Sequence, residues 1–305
     1  MPHALLIHGP QGVGKLALAE HLTQALLCEN GEETPCGHCP GCRWFIAGSH
    51  PDYRLIEPEA LARASEPVDE EGDAPAPQAR AAKPSAEIKV DQVRGLDDFL
   101  NLKSHRDGYR IALVHPAEAM NVNAANALLK SLEEPPGAAM FVLVSHRPSW
   151  LLATIRSRCV PYAVPIPNPD AAGGWLRGQG VSDPARWLAF ASGAPLRALE
   201  LARDPEGEEK MRLWKALESR DLDQLARVQD REQLEVLAEV LQKFALDRAF
   251  ISMSGRGKYG PAKSSTHAAA WLKFARKMGR NRRLAGHPLN PRLFAGEMLR
   301  EMPTD

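Results

Sequence analysis

The sequence predicts an α/β domain whose parallel sheet is covered by helices on both faces, followed by a part made only of helices. Over the first 165 residues, short and continuously apolar runs alternate with segments of helical periodicity. That alternation is typical of a buried parallel sheet. The first apolar run ends at a glycine-rich loop that opens a helix, as in P-loop proteins. After about Pro167 the strand-like runs cease, which indicates helices alone.

Five short apolar runs are the candidate strands. In chain order they are Ala4–His8, Tyr53–Ile56, Arg110–Val114, Met140–Val144 and Val160–Val164. Helices are predicted where apolar residues recur every three or four positions. These segments are Lys15–Cys28, Val90–Leu100, Asn123–Glu134 and Trp150–Ser157. Pro135 and Pro136 end the third helix, because proline cannot continue the hydrogen-bond ladder.

The length of 305 residues is enough for two or three domains. We predict an α/β domain over residues 1–165, a small helical unit over 166–207 and a C-terminal helical domain over 208–305. Residues 57–87 are rich in alanine, proline and acidic side chains, so we predict a flexible surface insert there.

The charge balance is even, with 38 basic and 38 acidic residues, and it neither favours nor excludes nucleic acid as a partner. No apolar run approaches the roughly 20 residues that cross a bilayer. No secretion signal is recognisable at the start of the sequence. We therefore expect a soluble, cytoplasmic protein with no membrane partner.

Four of the five cysteines fall within a short module, residues 28–42: Cys28, Cys36, Cys39 and Cys42. Four thiolates are the ligand set of a closed, tetrahedral structural zinc site. Gly37, Pro40 and Gly41 supply the tight turns that let the cysteines converge. The module therefore predicts a structural Zn²⁺. Iron–sulfur ligation, or replacement of one cysteine by His38 or His50, remains an alternative.

The glycine-rich loop has P-loop spacing from its first glycine to its lysine. Backbone N–H groups of such a loop cradle phosphates, and the lysine reaches the outer phosphates. The candidate phosphate-binding residues are Gly9, Gly12, Gly14 and Lys15. The loop either still holds a nucleotide or is now only a turn between strand and helix.

The positions that should bind Mg²⁺ in an ATPase carry the wrong residues. Leu16 stands where a serine or threonine hydroxyl is needed. His115 and Pro116 follow the strand Arg110–Val114, where an acidic pair should hold Mg²⁺ and orient water. We therefore expect that ATP with Mg²⁺ is not hydrolysed at this loop.

Two arginines are candidates for phosphate contacts. Arg158, in Ser157-Arg158-Cys159, lies between a predicted helix and a strand, where an arginine can reach the γ-phosphate of a neighbouring chain. Taken alone, an arginine at such a position is more often part of a surface salt bridge. Cys159 is predicted to be a small buried residue. Arg197 opens a later helix and either points at phosphates bound by the same chain or is structural.

Several segments together resemble the bacterial clamp-loader family of AAA+ proteins, over residues 1 to about 200. They are HALLIHGPQGVGK (3–15), CxxCxxC followed by HPD (36–52), NAANALLKSLEEPP (123–136), SRC (157–159) and GAPLRAL (193–199). The resemblance implies an AAA+-type α/β domain with a zinc insert, a helical lid at 166–207 and an oligomerising collar at 208–305.

The ATPase subunits of that family, gamma or tau, carry serine or threonine after the P-loop lysine and an acidic pair in place of His115 and Pro116. This sequence departs at both places and so resembles the family's non-hydrolysing subunit. The resemblance implies that Arg158 acts in trans on ATP bound to gamma or tau. It also implies a pentamer with gamma or tau and delta, which loads the sliding clamp onto primed DNA.

Two other functions are alternatives to a non-hydrolysing clamp-loader subunit. A working ATPase of the gamma or tau type would need the Mg²⁺ ligands that Leu16, His115 and Pro116 replace. A zinc-containing nucleic-acid-binding module would leave the LLKSLEEPP and SRC segments unexplained. The sequence also departs from the family at its start, where further chain is expected before the first strand, and in its longer and more acidic 57–87 insert.

Overall fold

The computed structural model describes residues 2–31, 33–65, 84–102, 104–105, 108–255, 266–285, 287 and 290–303. The chain divides into two compact units, Met1–Pro165 and Ile166–Asp305. The first unit contains a five-stranded sheet with helices, and the described residues of the second form helices without strands.

The sheet of the first unit is parallel throughout, with strand order β2-β3-β4-β1-β5. Its strands are β1 (Ala4–His8), β2 (Tyr53–Ile56), β3 (Arg110–Val114), β4 (Ala139–Ser145) and β5 (Val160–Ala163). All five predicted strands are confirmed. Because the strands are parallel, the segments that follow β1, β3 and β4 meet at one edge of the sheet, the usual place for a ligand in this class of fold.

Helices cover both faces of the sheet, as predicted. The described helices of this unit are α1 (Lys15–Leu27), α2 (Pro40–Ile46), α3 (Glu59–Ser65), α4 (Val90–Asn101), α5 (Val122–Glu133) and α6 (Ala153–Arg156). Alternate residues of a strand point to opposite faces, so Val114 and Phe141 pack in the core that contains residues of α4 and α5. Leu113 and Val142 pack in the opposite core, with Ala19 of α1.

The predicted insert at 57–87 begins with a helix, α3, rather than a loop. Its first residue, Glu59, accepts a hydrogen bond from the backbone N–H of Ser85 (3.2 Å) and pairs with Lys89 Nζ (2.7 Å). These contacts fasten α3 to the chain just before α4. The predicted flexible part, with its acidic residues, falls at 66–83 and lies outside the described residues.

The helix predicted over Trp150–Ser157 is two shorter elements. A 3-10 turn covers Pro148–Trp150, and α6 covers only Ala153–Arg156. Between them Leu151 adopts an extended backbone, and it is buried in the core beside α5. The burial of Leu151 in the core therefore outweighs the helical periodicity of the sequence, and the predicted helix is interrupted there.

The helices of the second unit share one hydrophobic core that extends from Ala172 to Leu299. They are α7 (Pro169–Gly178), α8 (Pro184–Phe190), α9 (Pro195–Arg203), α10 (Pro205–Ser219), α11 (Leu222–Leu225), α12 (Arg231–Ser254), α13 (Ala268–Leu284) and α14 (Pro291–Arg300). Edge-to-face aromatic contacts join α8, α10, α12 and α13 through the series Phe190, Trp214, Phe244, Trp271 and Phe274. The predicted boundary at 207/208 stays a prediction. Within the described part of the chain, no helix has the length and apolar character to cross a membrane.

Candidate functional site

The glycine loop between β1 and α1 has the backbone of a phosphate-binding loop. Gly9, Gly12 and Gly14 have φ angles of 150°, 80° and 96°, a region that favours glycine. A Cβ on Gly9 would lie only 2.3 Å from the carbonyl oxygen of Val164. Because α1 begins at Lys15, its unsatisfied N–H groups lie at the loop, which suits an anion.

Lys15 is buried beneath this loop. The residue is only 2% exposed, and its Nζ donates a hydrogen bond to the carbonyl oxygen of Pro10 at 2.5 Å. Burial lowers the pKa of Lys15 to about 8, although the nearby carboxylate of Glu118 acts in the opposite direction. Lys15 therefore loses its proton more readily than a solvent-exposed lysine does, and its ammonium group donates to the backbone of the loop itself.

The residues that stand in place of the magnesium ligands make other contacts. Leu16 packs against the hydrophobic core on the α1 side of the sheet. His115 follows β3 and His146 follows β4, and their rings meet edge to face with centroids 5.3 Å apart. Glu118 Oε1 accepts a hydrogen bond from the backbone N–H of His146 at 2.9 Å. The carboxylate therefore bridges the ends of two adjacent strands.

This His–Glu cluster (His115, Glu118 and His146) is poorly suited to Mg²⁺, which prefers a shell of oxygen ligands. Burial lowers the pKa of His115 to about 4; His146 and Lys15 act in the same direction, against Glu118. The pKa of His146 is also lowered, first by burial and then by Lys15. The buried Nδ1 atoms of both histidines have no hydrogen-bond partner among the described residues. Two neutral imidazoles and one carboxylate thus stand where an acidic pair is needed.

The four cysteines of the 28–42 module converge into one cluster. Their sulfur atoms all lie within 4.8 Å of one another. The Sγ atoms of Cys28 and Cys39 are 3.9 Å apart, and those of Cys36 and Cys42 are 4.0 Å apart. Zinc–sulfur bonds of about 2.3 Å in a tetrahedron place the sulfurs roughly 3.8 Å apart. The cluster therefore has the dimensions of a tetrahedral metal–thiolate site.

Local backbone geometry prepares these thiols for a cation. Cys39 caps the start of α2, and its Sγ accepts the N–H of Cys42 at 3.3 Å. Burial raises the pKa of Cys39, but hydrogen bonds from the backbone of Glu29 and Cys42 and from neighbouring thiols bring it down to about 6. Burial and the adjacent thiols raise the pKa of Cys42 to about 12. A bound cation would favour the thiolate form of Cys42, because metal binding requires deprotonated ligands.

A buried polar network links the chain after the cysteine module to the sheet. Asp52 forms an ion pair with Arg110, the first residue of β3, at 3.4 Å, and both side chains are buried. Both carboxylate oxygens of Asp52 accept the backbone N–H of His105 at 3.0 Å. Asp52 in turn donates its backbone N–H to Nδ1 of His50 at 3.0 Å. The HPD segment thus has a structural role beside β2.

Arg158 lies at the end of α6 and is tied to α5. Its Nη2 is 2.5 Å from Oε1 of Glu133, and its Nη1 donates to the carbonyl oxygen of Thr154 at 2.9 Å. Ser157 also donates to Thr154 O, at 3.0 Å. Cys159 is buried, and burial raises the pKa of its thiol to about 11. Cys159 is thus a core residue, while about a third of the Arg158 side chain is exposed.

Arg197 belongs to the second compact unit, near the start of α9. It forms an ion pair with Glu200 one turn later, at 2.7 Å. Its predicted contact with a nucleotide stays a prediction. Sequence reasoning singled out His115 but missed its contact with His146, and it missed Glu133.

The comparisons with known proteins agree with this arrangement. The family model described as DNA polymerase III, delta subunit, matches residues 1–167. The chain is 45% identical over 204 residues to DNA polymerase III subunit delta' of Pseudomonas aeruginosa, which covers 65% of this chain and 55% of that protein. It is 34% identical over 219 residues to the delta' subunit of Escherichia coli K12, and this match covers 70% of this chain and 59% of that protein.

A tau subunit is a more distant relative. Over 161 residues the chain is 34% identical to DNA polymerase III subunit tau of Escherichia coli K12, which covers 52% of this chain and 21% of that protein. The P-loop fold and these similarities define a clamp-loader protein of AAA+ type. Within that class, the chain belongs to the DNA polymerase III delta' family. It spans a little over half the length of the delta' relatives it matches.

Proposed function

We propose that this chain is the clamp-loader subunit that hydrolyses no ATP itself and supplies Arg158 to ATP bound by an adjacent gamma or tau subunit. The observation that carries the proposal is the loss of both Mg²⁺-binding positions beside a P-loop of intact shape. Leu16 packs into the core, and β3 leads to His115 and Pro116. Phosphoryl transfer from ATP depends on Mg²⁺ to neutralise charge on the phosphates, so this loop lacks a required element.

The electrostatics of the loop support the same proposal. Glu118 is the one carboxylate in the cluster, and one of its oxygens already accepts a backbone hydrogen bond. The Lys15 ammonium already donates a hydrogen bond to the carbonyl oxygen of Pro10. Contacts of Gly9, Gly12, Gly14 and Lys15 with a nucleotide would therefore serve binding alone and not hydrolysis.

Arg158 has the properties that a contribution in trans requires. Guanidinium is always charged and its planar fork matches phosphate oxygens. The Arg158 side chain is partly exposed, and two contacts hold it in place. An arginine supplied to a neighbouring nucleotide accelerates phosphoryl transfer by about 10³ to 10⁵ in other ATPases and GTPases.

We further propose that Cys28, Cys36, Cys39 and Cys42 hold one structural zinc ion. Four thiolates fill a tetrahedral shell and leave no position for a catalytic water. Zinc would supply the positive charge that the four clustered sulfurs need.

We also propose that the chain assembles with gamma or tau and delta in a pentamer, and that this pentamer places the sliding clamp on primed DNA. The family and the similarity to tau support these partners.

The test is phosphate release by a reconstituted loader. Wild type, Arg158→Ala and Arg158→Lys would each be assembled with gamma and delta and assayed with clamp and primed DNA. Arg156→Ala, an exposed arginine two residues earlier on α6, is the matched control. We expect R158A to lower the rate and R158K to restore little, since lysine lacks the planar fork. A rate equal to that of wild type in R158A rejects the trans role.

A further inference from the structure

We propose that Glu133 is a positioning residue for Arg158, which fixes the guanidinium in the geometry that faces a neighbouring nucleotide. This inference rests on the proposed function, because it concerns the same arginine. Glu133 is the last residue of α5 and lies 25 positions before Arg158 in the sequence. Their contact is therefore made by the fold and not by local chain geometry.

Two separate elements hold the guanidinium. Nη2 contacts Oε1 of Glu133 at the end of α5, and Nη1 donates to Thr154 O in α6. Arginine has five N–H donors, so these two contacts leave three for phosphate oxygens. Fixing the side chain beforehand removes rotamer freedom that would otherwise be lost when the arginine reaches its target.

Both anchoring elements pack in the same hydrophobic core. Leu132 precedes Glu133 and is 1% exposed, and Leu128 one turn earlier is fully buried. In α6, Ile155 is fully buried in the same core. Cys159, which follows Arg158, packs in that core as well. The carboxylate and the arginine backbone are thus held at a fixed distance.

A contribution to folding does not account for this pair. The side chains of Arg158 and Glu133 are 34% and 50% exposed, and exposed ion pairs add little to stability. The next residue, Glu134, is also exposed but forms no ion pair with any described residue. Glu133 and Glu134 are adjacent exposed glutamates at the end of the same helix, and of the two only Glu133 pairs with Arg158, so Glu134 serves as the matched control.

The experiment compares Glu133→Gln, Glu133→Ala and Glu134→Gln in the reconstituted loader, with kcat and KM for ATP measured separately. We expect a fall in kcat with little change in KM, because the arginine stabilises charge that develops during transfer. Misplacement of a catalytic group costs up to about a hundredfold, and we expect roughly tenfold at the affected ATP site for E133A. E133Q should lose less, because its amide oxygen still accepts a hydrogen bond, and E134Q should match wild type.

A double variant separates positioning from other roles. If Glu133 acts only through Arg158, then R158A with E133A is no slower than R158A alone. Additive losses would overturn the inference, and so would a higher rate in E133Q, which would mean that the carboxylate holds the arginine back. If R158A slows the loader but E133A does not, the positioning role fails and the trans arginine stands. If R158A has no effect, the proposed function itself fails.

Discussion

Replacing Lys15 with methionine should stabilise the chain at neutral pH, and the gain should fade as the pH rises. Burial lowers the pKa of Lys15 from 10.5 to about 8. At 1.36 kcal/mol per pKa unit, keeping this lysine charged costs the folded state roughly 3 kcal/mol. We therefore expect K15M to raise the free energy of unfolding by up to about 3 kcal/mol near pH 7.

The pH dependence follows from the direction of the shift. Between about pH 8 and 10.5 the unfolded chain keeps the Lys15 proton and the folded chain has lost it, so wild-type stability rises with pH over this window. K15M lacks this term, so its advantage over wild type should shrink by roughly 2 kcal/mol between pH 7 and pH 9.5.

Urea denaturation at both pH values measures this difference directly. Lys130→Met, at an exposed position of α5, controls for the general effect of removing a lysine. Other groups that titrate in this range cancel, because wild type and variant share them. A difference between K15M and wild type that stays constant from pH 7 to 9.5 would refute the account of a buried lysine of low pKa.

Two further predictions concern the first compact unit. Protein purified without chelator should contain about one zinc per chain, and Cys42→Ser should lower both the metal content and the free energy of unfolding; metal-free wild type of unchanged stability would contradict the zinc site. Asp52→Asn should destabilise the chain by about 3 kcal/mol, since it leaves Arg110 buried with a broken ion pair. Urea denaturation against the exposed control Asp98→Asn would measure this loss, and equal stability of the two variants would show that the network adds nothing.

The strands and most helices of the first unit could be predicted because their signals are local. Continuous apolar runs mark strands that are buried on both faces, as in β3 and β4. The period of Val93, Leu96 and Leu100 marked α4 for the same reason. The helix α3 was not predicted, because the contacts that hold it in place are made with residues distant in sequence. Glu59 accepts a hydrogen bond from the backbone of Ser85 and pairs with Lys89, and both residues follow the 66–83 segment.

Within the candidate site too, the features with local sequence signals were predicted and those that depend on the fold were not. The spacing of glycines and cysteines fixes a loop and a cluster, so both were visible in the sequence. The His–Glu cluster depends on strand order, because β3 and β4 must be neighbours before His115 and His146 can meet. The available signal was that polar residues follow two adjacent buried strands. Glu133 had no such signal, since its contact with Arg158 requires the packing of α5 against α6.

The central claim is that ATP is hydrolysed by a neighbouring subunit and not by this chain. The most direct measurement is phosphate release from ATP with Mg²⁺ by the purified chain alone, with Lys15→Ala assayed beside it. The account predicts that both proteins stay at the background rate. Sustained release by wild type that K15A abolishes would contradict it, because the loop around Leu16 and His115 would then be a working ATPase site.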